Sequence, residues 1–158
     1  MANQVYDELK NGLLTGDITL SADDIYVLLV QESDATITTS ATVLSGTMSF
    51  EYSGTSALEL TETSGVNYTS GGYELTNKVV SAGEIGTFYF DADDITISAT
   101  PIEDTAITAG GMLLYKRLTP IETSIPLVYF DYGVDQVTLN TPYKIQWHST
   151  GIISIETK

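Results

Sequence analysis

Gly110-Gly111-Met112-Leu113-Leu114-Tyr115-Lys116, Ile125-Pro126-Leu127-Val128-Tyr129-Phe130-Asp131-Tyr132-Gly133, Tyr143-Lys144-Ile145-Gln146-Trp147-His148 and Gly151-Ile152-Ile153-Ser154-Ile155 follow one another in the last third of the chain. Each run is short, apolar and aromatic, and the residues between runs are turn formers, which is how strands read. The block decides for a β fold.

Working back from it, the same pattern recurs. Ile25-Tyr26-Val27-Leu28-Leu29-Val30 is apolar at every position, as in a central strand covered on both faces. Elsewhere apolar residues alternate with polar ones: Leu44, Gly46, Met48 and Phe50; Leu58 and Leu60; Tyr73, Leu75 and Val79; Phe88 and Phe90; Ile95 and Ile97; Tyr143, Ile145 and Trp147. Half-buried antiparallel strands give this period of two. Ser53-Gly54, Ser64-Gly65, Ser70-Gly71-Gly72, Gly110-Gly111 and Asn140-Thr141-Pro142 punctuate the strands as turns. Thr-rich residues 31–42 and 99–108 read as exposed edge strands or long loops.

One segment has a different period. Val5, Leu9 and Leu13 recur at helical spacing, with Asp7 and Glu8 in the early turns and Gly16 placed to stop the chain. This predicts one short N-terminal α-helix over residues 3–14, packed on the sheet or docked on a neighbouring subunit. The expected whole is mainly β: an antiparallel β-sandwich or barrel-like fold forming a single domain over 1–158, with the β core at 17–158.

Composition excludes several functions. The chain has 158 residues, 42% of them hydrophobic, so it is long enough for a core and too apolar for disorder. Twenty-one acidic residues against 6 basic give a net charge of −15. Such a surface repels phosphate backbones and anionic lipid, so neither nucleic acid nor membrane is an expected partner. There is no cysteine, which removes disulfides, thiolate metal sites and cysteine nucleophiles. Neither a secretory leader nor a membrane-spanning run is read in the sequence. Asn67-Tyr68-Thr69 fits a glycosylation acceptor but is taken as coincidence.

Candidate chemistry is sparse. Asp91, Asp93 and Asp94 are the candidate Ca²⁺ ligands, since carboxylates on one turn gather oxygen donors. Their spacing matches no EF-hand loop, and the expected role is a solvated turn before a strand. Ser21-Ala22-Asp23-Asp24-Ile25 carries the same turn signature. His148 is the sole histidine and, beside Trp147, points outward, without the partner a general base or zinc site requires. Neither Gly71-Gly72 nor Gly110-Gly111 has the Lys and following helix of a phosphate loop. No catalytic residue, no cofactor and no enzyme activity is expected. The tyrosines are the richer set: Tyr129, Tyr132 and Tyr143 cluster with Trp147 late in the chain. They serve either core packing or partner contact. With Val5 and Leu9 of the helix they are the candidate interface residues.

The ordered set Val5-Tyr6-Asp7-Glu8-Leu9-Lys10, Leu13-Leu14-Thr15-Gly16-Asp17-Ile18, Asp23-Asp24-Ile25 to Val30, Tyr68-Thr69-Ser70-Gly71-Gly72-Tyr73-Glu74-Leu75-Thr76-Asn77-Lys78, Phe90 to Ile95, Leu114-Tyr115-Lys116, Pro126 to Gly133 and Ile145-Gln146-Trp147 resembles a family of small virion structural proteins of tailed bacteriophages. Residues 31–64 depart from that pattern. The resemblance implies a capsid decoration or cement protein that stabilises the shell. It implies binding to other virion proteins, above all the major capsid protein, as a homo-oligomer with a trimer favoured. Location in the virion after assembly in the bacterial cytoplasm follows from the same likeness. A tail, neck or fibre-base protein and a carbohydrate-binding module are the alternative expectations.

Overall fold

Among the described residues, ten antiparallel strands and one α-helix build the fold. The computed structural model describes residues 3–31, 62–63, 65, 67–84, 86–98 and 107–156. The strands expected around Leu44 to Phe50 and Leu58 to Leu60, and most of the Thr-rich stretches, lie outside these. In chain order the elements are β1 (Gln4–Val5), α1 (Asp7–Thr15), β2 (Ile25–Val30), β3 (Tyr73–Glu74), β4 (Val79–Ala82), β5 (Thr87–Asp91), β6 (Ile95–Ile97), β7 (Ile107–Lys116), β8 (Ile125–Thr138), β9 (Tyr143–Ile145) and β10 (Ile153–Glu156). A 3₁₀ turn at Ile121–Thr123 joins β7 to β8.

The strands form a five-stranded sheet in the order β1-β8-β7-β2-β3, a three-stranded sheet β10-β5-β4 and a two-stranded sheet β6-β9. The fold is therefore mainly β with one short helix, as the alternation predicts. Among the described residues the sheets do not close into a barrel.

Register explains why β2 is apolar throughout. Val27, Leu114 and Val128 line up across β2, β7 and β8, and all three belong to the larger core cluster. One residue on, Leu28, Leu113 and Tyr129 line up on the opposite face, within a second cluster holding Tyr6, Val30 and Tyr115. Both faces of the central strands are thus buried. Against the first face pack Leu9 of α1, Phe90 of β5, Ile97 of β6 and Tyr143 and Ile145 of β9. Each such side chain contributes about 1.5–3 kcal/mol when fully removed from water.

Three local expectations are corrected. Residues 4 and 5 are not helical: they pair with Tyr129 and Val128 as a short edge strand, and the Tyr6 amide donates to the Leu127 carbonyl at 3.0 Å. The helix starts at Asp7 and ends at Gly16, whose φ of 82° is the left-handed conformation that glycine adopts without strain. Gly110-Gly111 is not a turn but lies inside β7. A Cβ on Gly111 would stand 2.5 Å from the Tyr129 hydroxyl and 2.7 Å from the Phe130 carbonyl, so the strand passes only because the side chain is missing. Finally, Tyr73 to Val79 is two strands in different sheets. Asn77, at φ 50°, breaks the run between them.

Candidate interaction site

The expected interface residues are mostly core. Leu9, Tyr129 and Tyr143 are buried within the chain, which corrects their reading as contact surface. Leu9 closes the larger core beneath α1, Tyr143 joins the same core through β9, and Tyr129 sits in the second cluster over Gly111. Tyr132 is half-buried and hydrogen-bonded to Tyr143. Val5 alone of the five is exposed, at 37%, on the edge strand β1.

The tyrosines work inward. The Tyr115 hydroxyl donates to the Gly71 carbonyl at 2.5 Å, and the Tyr73 hydroxyl to the Asn67 carbonyl at 2.7 Å. The Tyr68 hydroxyl accepts from the Leu29 amide at 3.1 Å. These bonds fasten residues 67–73 to β2 and β7 and satisfy backbone groups that burial would otherwise orphan. Burial pushes the Tyr115 phenol up to about 12, against a smaller lowering by Arg117. Burial also holds Tyr6, Tyr68, Tyr132 and Tyr143 above the ordinary phenol value.

The acidic turn does not gather ligands. Asp93 accepts from the Asn77 side chain at 2.6 Å and the Thr76 hydroxyl at 3.1 Å. Asp94 accepts from the Trp147 amide at 3.0 Å, and Asp91 from the Ala92 amide at 2.9 Å. Asp93 and Asp94 fasten two different segments, at residues 76–77 and 147, while Asp91 bonds within the turn itself. Among the described residues no group of three acidic or histidine side chains is arranged to hold a metal ion. The matching turn before β2 uses Asp23 in the same structural way: it accepts from the Thr19 amide at 2.7 Å and pairs with Lys116 at 2.8 Å. His148 is exposed, its Nδ1 engaged 2.8 Å from the Thr150 hydroxyl. The Trp147 indole donates to the Asp93 carbonyl at 3.0 Å.

One open surface among the described residues is apolar. On β5, Phe88 and Phe90 share one face; on β10, Ile153 and Ile155 pair with Phe90 and Phe88 respectively; on β4, Val80 pairs with Phe90. The inner end of this face joins the core, and Phe90 is 3% exposed. Around Phe90 the cover stops: Phe88, two residues along β5, is 51% exposed, its partner Ile155 46%, and Val80, beside Phe90 on β4, 49%. Between this rim and the end of α1 runs a groove of about 410 Å³, lined from the other side by Leu13, Gly16, Ile18 and Leu20. The sequence shows the alternation but not where the cover ends, so Phe88 reads like any core residue. A second cleft of about 410 Å³, more polar, lies between β8 and β9 and is lined by Tyr132, Gln136, Thr138, Lys144 and Gln146 among others.

Comparison with protein-family models, with characterised proteins and with solved structures finds no match to this chain.

Proposed function

We propose that this chain is a non-enzymatic structural component of a tailed-phage virion, a capsid decoration protein that stabilises the shell. It would do so by binding the major capsid protein and further copies of itself, a trimer suiting three-fold positions of a capsid lattice. The observation that carries a binding role is the open apolar rim of Phe88, Val80 and Ile155 beside the groove. A half-exposed phenylalanine with aliphatic neighbours is the kind of anchor that dominates interfaces when a partner covers it. The ordered likeness along the chain supplies the virion context. Charge is compatible with it: a subunit at −15 is held off packaged nucleic acid, whereas apolar burial against a shell does not depend on phosphate attraction. A stable contact buries roughly 1,600 Å² in total, so the groove would be the centre of a wider interface.

Reconstruction of the particle that carries this chain tests the proposal. Density for the chain on the outer surface of the shell, with Phe88 covered by a neighbour, is the expected result. Density confined to the tail, neck or fibre base removes the decoration role.

A further inference from the structure

We infer that the groove between the end of α1 and the β4-β5-β10 sheet receives an amphipathic segment of a partner protein, one whose apolar side chains are flanked by Lys or Arg. This rests on the binding role proposed above and specifies the chemistry of the partner.

The shape selects side chains rather than a flat surface. Ile18, Leu20 and Phe90 are buried and form the floor, while Phe88, Val80 and Ile155 stand half-open along one wall. Because β5 lies between β4 and β10, these wall residues form one continuous face rather than scattered exposures. A groove of about 410 Å³ falls in the range of roughly 300–1,000 Å³ that buried ligand groups occupy. The hydroxyls of Thr19, Ser21 and Tyr89 are the polar side-chain groups of the lining, so a polar small molecule would meet few partners there.

Charge then selects the flanks. Asp17 is exposed between the lining residues Gly16 and Ile18, and no Lys or Arg adjoins a lining residue in the chain; Asp91 and Glu156 alternate onto the opposite face of their strands. Lys116, whose ammonium reaches the Asp17 carbonyl at 2.8 Å, is neutralised by Asp23. Around an apolar groove on a chain of net charge −15, a basic flank is drawn in and an acidic one repelled. A second copy of this chain carries the repelled sign, so the groove favours a different protein.

The test uses the full chain and three labelled synthetic peptides: an amphipathic Leu/Lys helix, a Leu/Glu helix of the same pattern, and a Ser/Lys peptide matched in positive charge. Fluorescence anisotropy at about 150 mM salt, where the screening length is about 8 Å, reads binding. The Leu/Lys peptide is expected to bind and the other two are not. Phe88→Asp is expected to weaken binding by about tenfold or more, the loss typical of an interface anchor. That substitution adds negative charge, so attraction by charge alone would strengthen binding instead. Val80→Asp should act like Phe88→Asp, and Val134→Asp, on β8, should leave binding unchanged. Phe88→Ser, checked by a circular-dichroism melt, gives the same reading should the aspartate variant unfold. Equal binding of the Ser/Lys peptide, undiminished binding by Phe88→Asp and Phe88→Ser, or no binding of the Leu/Lys peptide each overturns the inference. So does a wild-type oligomer in sedimentation that Phe88→Ser dissociates, since a second copy would then fill the groove. The expected peptide pattern from a chain that reconstruction finds in the tail keeps this inference and removes the decoration role alone.

Discussion

Phe88 and Phe90 stand two residues apart on one face of one strand, yet one is half in water and the other is core. The same contrast separates the two sheets. Over residues 27–30 of β2, 113–115 of β7 and 127–129 of β8 both faces are covered, because each carries a layer and the register stacks Leu28 on Leu113 and Val27 on Leu114, whereas the far end of β8 is open at Val134 and Val137. In the β4-β5-β10 region the cover stops part-way along the strands. Period-two alternation tells which face a residue takes, but not how far the opposing layer extends. The uncovered end of an otherwise ordinary inner face is where a partner has something to bury. The sharpest experiments ask how different the two regions are.

The largest effect should come from pH. Tyr6, Tyr115, Tyr132 and Tyr143 are fixed in or against the covered region, and Tyr68 is hydrogen-bonded to β2; all five phenols are raised above 10.0 by burial. A raised folded-state value means that the stabilisation is complete below the unfolded phenol value near 10 and is lost as pH rises through the folded values. For Tyr115 that window runs from 10.0 to about 12. The fold should hold unchanged up to about pH 9 and unfold cooperatively by about pH 12. Near-ultraviolet circular dichroism, with the tyrosinate absorbance read in parallel, checks this. Tyrosinate appearing near pH 10 without loss of structure would mean that these rings are open to water, and the contrast between the sheets would disappear.

Phe90→Ala comes next. It removes a buried ring from the junction of the small sheet with the main core, and should cost about 4 kcal/mol in urea unfolding. Gly111→Ala should cost about 2 kcal/mol, because its methyl would meet the Tyr129 hydroxyl and the Phe130 carbonyl and β7 is held on both sides. A neutral Gly111→Ala would show that the central sheet is looser than its burial suggests.

Much of this arrangement is legible in the sequence. Ile25 to Val30 announces a strand buried on both faces because no polar residue interrupts it. Gly16 announces the end of a helix. Other features were hidden for physical reasons. Val5 has the right spacing for α1 but is taken by β8, since pairing with Val128 satisfies its backbone in a way spacing cannot reveal. Gly110-Gly111 looks like a turn because its true cause, the hydroxyl of Tyr129 on the neighbouring strand, is remote in sequence. Tyr129 and Tyr143 read as contact surface because tyrosine serves interiors and interfaces equally well. Phe88 has the same pattern as Phe90, so the alternation does not mark the groove.

The smallest effect is the most telling. Phe88→Ala should cost under about 1 kcal/mol, the range of a half-exposed cross-strand pair, here with Ile155 and Ala82. Set against about 4 kcal/mol for Phe90→Ala, this would make the two phenylalanines of one strand differ several-fold in what they contribute to the isolated chain. Urea titrations at two protein concentrations decide it. A small cost at both concentrations leaves Phe88 free for a partner. A cost approaching that of Phe90→Ala, independent of concentration, would mean that the outer end of the sheet is already covered within the chain. If the cost grows with concentration, copies of the chain cover it for one another, and the basic-partner inference falls while a binding role for the groove stands.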